Sequence, residues 1–163
     1  MISKLMMISA RFDFMSATQF ALLYAMGLRD EDYVLDVGCG AGPDTLFAAR
    51  QGASVTFTDV ESTAVEELDE KLAKLHPGVT RHGVVCDSDP LLVEDGFASR
   101  VICCEVLEHV ADPVKVMSEL VRAGKPGAQY LLMVPGETGE KIQEAFAPKA
   151  YFEHPYHIRI FSE

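Results

Sequence analysis

No stretch of this sequence approaches the ~20 consecutive apolar residues that a membrane span requires, so no membrane partner is expected. The N-terminal stretch mixes Met and Ile with Lys4. Ser3, Ser9, Arg11 and Asp13 interrupt it too early for the apolar core of a signal peptide, and it reads as mature protein. Basic residues are also scarce. Fourteen lysines and arginines stand against twenty-five aspartates and glutamates, a net charge of −11, and they form no run. Such a field repels a duplex, so a nucleic-acid partner is not expected. Cysteine is limited to Cys39, Cys86, Cys103 and Cys104. None forms a C-x-x-C pair and three lie in or at the end of apolar runs, which suits buried reduced thiols in a cytoplasmic protein better than disulfides or a zinc site. Repeats, low-complexity segments and linkers are absent too.

What remains is 163 residues with 48% apolar and 24% charged content, the composition of one soluble globular domain with its own core. The expected division of that single domain (1–163) is an N-terminal helical segment over 1–27, a core over 28–135 and a tail over 136–163.

Apolar patterning and breakers alternate strand with helix. Ser16 and Gln19 have the spacing of a capping box, opening a helix that runs to Met26 and stops at Gly27. A short apolar strand is expected over 33–37, a helix over 44–50 closed by Gly52, and a strand over 54–58. Val65, Leu68, Leu72 and Leu75 mark a helix over 63–75, stopped by His76-Pro77-Gly78. Strands over 79–86, 100–104 and 129–134 and a helix over 113–123 complete the series, with a further helix expected over 139–146. Several strands are continuously apolar, as in a sheet covered on both faces. The fold class expected is α/β, doubly wound and mostly parallel.

The most informative stretch is V-L-D-V-G-C-G-A-G at 34–42, leaving a strand and entering a helix. Glycines there let the backbone approach a ligand closely. Gly38 and Gly40 have dinucleotide-site spacing, but Gly42 comes one residue early and Pro43 occupies the place of the third glycine. Asp36, just before the bend, opposes a pyrophosphate and suits a cationic ligand, a sulfonium or an ammonium. An NAD-dependent oxidoreductase on the same kind of sheet is therefore the weaker reading. A non-catalytic scaffold domain is the other alternative.

This stretch resembles motif I of the class I S-adenosylmethionine-dependent methyltransferases, and three further blocks match in order. Asp59, followed by Val60, stands where the family keeps an acid that binds the ribose hydroxyls. Asp87-Ser88 stands where its acid meets the adenine amino group. The segment V-I-C-C-E-V-L-E-H-V-A-D at 101–112 resembles the fourth-strand block, which brings Cys104 and Glu105 to the cofactor, and Lys125-Pro126-Gly127 resembles the turn before strand five. The resemblance covers about 28–135. It implies a Rossmann-like sheet of order 3-2-1-4-5. The sequence departs from the family after the fifth strand, where the usual C-terminal antiparallel strands are expected to be missing or truncated, either in a reduced protein or in a fragment, which leaves an open edge through which two copies can pair. The resemblance implies S-adenosyl-L-methionine as cofactor and a small-molecule acceptor methylated at O or N. The implied cofactor residues are Asp36, Gly38, Cys39, Gly40, Gly42, Asp59, Val60, Asp87, Ser88, Cys104 and Glu105.

Glu105, Glu108 and His109 form E-x-x-E-H. On a helix these positions share one face, where two carboxylates and an imidazole can take a divalent metal, with His154 or His157 completing the set. The arrangement is similar to the metal-assisted ubiquinone-biosynthesis O-methyltransferases and the small-RNA 2′-O-methyltransferases. The same string is common in metal-free members, so a divalent metal is not the favoured expectation. Glu105 and His109 are the candidate catalytic residues, His109 as a general base or simply a structural histidine. The tail containing Tyr151, Phe152, His154, Tyr156 and His157 can cover the acceptor site or pack on the sheet. Tyr156 to Ser162 also resembles a segment of small-molecule members.

Overall fold

A computed structural model describes residues 17–138 and 158–161. Ser16 of the expected capping box, the expected helix over 139–146, and His154 and His157 lie outside the described residues. Five parallel strands form one sheet of order β3-β2-β1-β4-β5, as expected. In chain order the elements are α1 (Ala17–Ala25), β1 (Tyr33–Val37), α2 (Pro43–Arg50), β2 (Ser54–Asp59), α3 (Ser62–Leu75), β3 (Arg81–Val85), β4 (Ala98–Cys104), α4 (Pro113–Ala123) and β5 (Gly124–Met133). No helix among the described residues is long and apolar enough to cross a membrane.

Strand residues alternate between two cores. Val34, Val55, Phe57, Ile102 and Leu131 meet α2 and α3 on one face, while Leu35, Val37, Val101 and Cys103 meet α4 on the other. Full burial of Phe57 contributes about 1.5–3 kcal/mol. In α3, Val65, Leu68 and Leu72 face the sheet, but Leu75, expected with them, is exposed because it falls in the last turn, past the sheet. Helix α4 buries Val116, Leu120 and Ala123. It starts abruptly because the Asp112 side chain accepts from the amides of Val114 and Lys115 and Pro113 fills the first turn.

Three strand boundaries differ from expectation. β3 is shorter, since Val79 bonds back to His76 in the turn. β4 begins at Ala98, which pairs with Gly124, so β5 begins early as well. The Lys125-Pro126-Gly127 turn therefore sits inside β5 as an irregularity, with register regained at Gln129 opposite Arg100.

The connection from β3 to β4, residues 86–97, contains no helix. Leu91 anchors it in the α4-side core, and Arg122 of α4 bonds its backbone. This leaves the loop free to form one wall of a cleft at the C-terminal ends of the strands, where open α/β sheets take their ligands.

Candidate active site

The bend after β1 is held by its own amides. Gly38 and Cys39 both donate to the Thr58 carbonyl at 2.9 Å, Gly42 donates to Cys39 at 2.8 Å, and Gly40 donates to the Asp59 carboxylate at 2.8 Å. Asp59 also accepts from the Glu61 amide at 3.0 Å. Four amides that would cradle a phosphate are thus committed, and a carboxylate stands among them. A pyrophosphate meets repulsion here; a ligand with hydroxyl donors or positive charge does not.

An open cleft of about 750 Å³ runs from this bend across the sheet edge. Its volume lies within the range of small-molecule sites. Gly38, Gly40, Asp59, Val60, Asp87, Ser88, Glu105 and His109, all picked from the sequence, line it together. Ser88 is buried and donates through both its amide and its hydroxyl to Asp87. The other large hollow, about 620 Å³, lies at the starts of the strands, against Tyr33, Ser54 and Arg81, away from these groups.

Four expected cofactor residues stand behind the wall instead. Asp36 is buried, accepts from the Thr45 hydroxyl at 2.5 Å and does not reach the cleft. The reading that it faces a cationic ligand is corrected: β1 ends one residue later, and its even positions point into the α2-side core. Burial, with the Asp44 charge beside it, pushes its carboxyl up to about 8. Asp44 is buried too and is raised by desolvation, against hydrogen bonds from Gln19 and Cys104. Cys39 and Cys104 are buried, and desolvation raises both thiols far above their ordinary value. Gly42 caps α2 in the left-handed region (φ 84°).

The E-x-x-E-H segment does not form a helix. Glu105 adopts φ 58°, uncommon for a residue with a side chain and a mark of functional sites. The chain then turns. Glu108 ends fully buried while Glu105 is exposed toward the cleft, so the two carboxylates do not share a face, which corrects the helical reading. His109 Nε2 lies 3.6 Å from Glu108 Oε1. Among the described residues, no group of three His, Cys, Asp or Glu side chains is placed to hold a metal. Glu105, Glu108 and His109, the possible donor set of the sequence, are not brought together for a metal here, and His157 lies outside the described residues.

Sequence reasoning missed several lining residues: Glu61, Asp89, Asp112 and Lys115. The Asp112-Pro113 helix start was a usable signal, because it fixes Asp112 and Lys115 on the first turn of α4, at the cleft rim. Gln19, read from the sequence as half of a capping box, also donates through its amide to both Asp44 carboxylate oxygens at 2.8 Å and ties α1 to α2, a contact the spacing did not show. Ring packing of Phe20 edge-on against Phe47 adds to that junction.

Comparison with known proteins places this geometry. A family described as "Methyltransferase domain" matches residues 35–132. A ubiquinone biosynthesis O-methyltransferase from Klebsiella pneumoniae (strain 342) is 35% identical over 113 residues, covering 66% of this chain and 44% of that protein. The corresponding protein of Xanthomonas euvesicatoria is 37% identical over 111 residues, covering 64% of this chain and 44% of its own length. The chain thus spans less than half the length of the curated relatives it matches. Among solved structures, a SAM-dependent methyltransferase from Aquifex aeolicus superposes with a TM-score of 0.58 at 25% identity, over 65% of this chain and 57% of that one.

Proposed function

From the premise that this chain belongs to the methyltransferase-domain family, we propose that it moves a methyl group from S-adenosylmethionine to an oxygen or nitrogen of a small-molecule acceptor. The observation that carries this reading is the Asp59 carboxylate at the glycine bend, with Asp87 on the same cleft. When bound, the cofactor supplies a sulfonium-activated methyl group. The protein's part is to orient the reactants for in-line displacement and to exclude water.

Asp59 accepts from the ribose hydroxyls, and Asp87 with Ser88 meets the adenine edge. Gly38 and Gly40 allow the backbone to lie against the nucleoside. Glu105 stands beside the sulfur end and Val60 beside Asp59, while Asp36, Cys39, Gly42 and Cys104 back the wall from behind without lining the cleft. His109 faces the acceptor side, where it takes the proton of a hydroxyl acceptor. No step is assigned to a metal. One domain over 1–163, a cytoplasmic setting, no nucleic-acid partner and pairing of two copies along the outer edge of β5 belong to the same reading. Free thiols at all four cysteines support the cytoplasmic setting.

The test is transfer of labelled methyl from S-adenosylmethionine to a panel of phenols, amines and carboxylates. Wild type is expected to label at least one class, and Asp59→Asn to lower that transfer at least tenfold. Silence of the wild type across the panel would overturn the catalytic reading.

A further inference from the structure

Two connections border the cleft, through residues 86–89 and 105–112, and each is gripped along part of its length by one guanidinium. In the 86–97 connection, past its cleft-lining part, Arg122 donates to the carbonyls of Leu91 at 2.8 Å and Val93 at 2.9 Å, while its partner Glu119 takes the Leu91 amide at 2.9 Å. On the 105–112 wall, Arg159 donates to the carbonyls of Val110 at 2.8 Å, Ala111 at 3.1 Å and Leu107 at 3.4 Å. The neighbouring Ile158 amide donates to the Glu108 carbonyl at 3.0 Å. Two residues on, Phe161 bridges Gly136 in parallel and packs into the α4-side core. Arg159 is thus anchored independently of the loop it grips, from about fifty positions away in sequence.

The 105–112 loop needs such a grip. It is neither helix nor strand, and it carries the left-handed Glu105 and the cleft-facing His109. A segment with few regular hydrogen bonds opens locally at small free-energy cost. A planar fork of five donors can span several carbonyls at once, which a lysine ammonium cannot do from one position.

We propose that Arg159 is a positioning residue for the sulfur and amino acid end of the cofactor site, holding the 105–112 loop in the conformation that turns Glu105 toward the cleft. This rests on the cofactor placement given under Proposed function. Arg122, by contrast, grips residues 91–95 of its connection, beyond the 86–89 stretch that lines the cleft. A ligand whose competent loop conformation is only partly populated loses apparent affinity in proportion. Removal of Arg159 therefore penalises only ligands that reach Glu105.

The probes are S-adenosylhomocysteine and methylthioadenosine, which share the nucleoside and differ in the amino acid arm. In Arg159→Met, which keeps an apolar stem, the Kd for S-adenosylhomocysteine rises at least tenfold and that for methylthioadenosine stays within twofold. Amide exchange over 106–111 accelerates at least tenfold in Arg159→Met, with 86–93 unchanged. Arg159→Lys recovers less than a third of the lost affinity. Equal loss for both probes, full recovery by lysine, or unchanged exchange over 106–111 overturns the proposal. Failure of the wild type to bind either probe refutes the cofactor placement instead, while the exchange measurement still decides the clamp.

Discussion

Asp59 shows how one side chain can set both the shape and the ligand preference of a bend. By taking the Gly40 amide it fixes the turn, and its charge disfavours an anion in the space a dinucleotide pyrophosphate would need. The glycines beside it are required for separate reasons. At Gly38 (φ 73°) an added Cβ would lie 2.3 Å from the Val106 side chain, so a methyl there drives the bend against the opposite wall. At Gly42 (φ 84°) it would lie 2.2 Å from Leu68, inside the core. Gly42→Ala combines left-handed strain of about 1–2 kcal/mol with overpacking of about 1–3 kcal/mol. Its thermal midpoint is expected to fall by roughly 5–15 °C for a domain of this size, measured by calorimetry. A midpoint within 2 °C of wild type would show that Leu68 gives way freely. The thiols of Cys39, Cys103 and Cys104 are poor nucleophiles, because burial raises all three, Cys103 to about 12.

At the scale of elements, β1 and α2 meet through two buried carboxylates. Asp36 keeps its proton to about 8, chiefly because burial disfavours the charged form. The unfolded chain releases that proton near 3.8, so the folded state binds more protons between those values. The stability that this one group contributes is greatest below about 4 and declines as pH rises to about 8, levelling off beyond it. Asp44, also raised by burial, acts in the same direction. In Asp36→Asn, melting curves at pH 5 and pH 8 should differ less than in wild type; parallel declines in the two proteins would contradict the assignment. The element series was legible because periodicity and breakers agree. Proline and aspartate mark the start of α4, and apolar runs mark β1 and β4. The helical reading of E-x-x-E-H failed because spacing alone does not reveal that Glu105 takes a left-handed turn. Nor could spacing show that Asp36 turns inward, since the direction of a side chain depends on where the strand ends relative to the sheet.

For the whole molecule, parallel topology brings the ends of β1, β2, β3 and β4 to one edge, and the cleft forms where their loops diverge. That convergence was readable from the glycine bend and the acids following successive strands. The grip on the 105–112 wall was not, because Arg159 acts on backbone carbonyls about fifty positions away and leaves no residue pairing for a sequence to display. Isothermal titration of S-adenosylhomocysteine, with NADH as the control, tests the central claim most directly. One-to-one binding in the micromolar range, lost at least tenfold in Asp59→Ala and absent for NADH, is the result predicted. Binding of NADH with no heat from S-adenosylhomocysteine would contradict it.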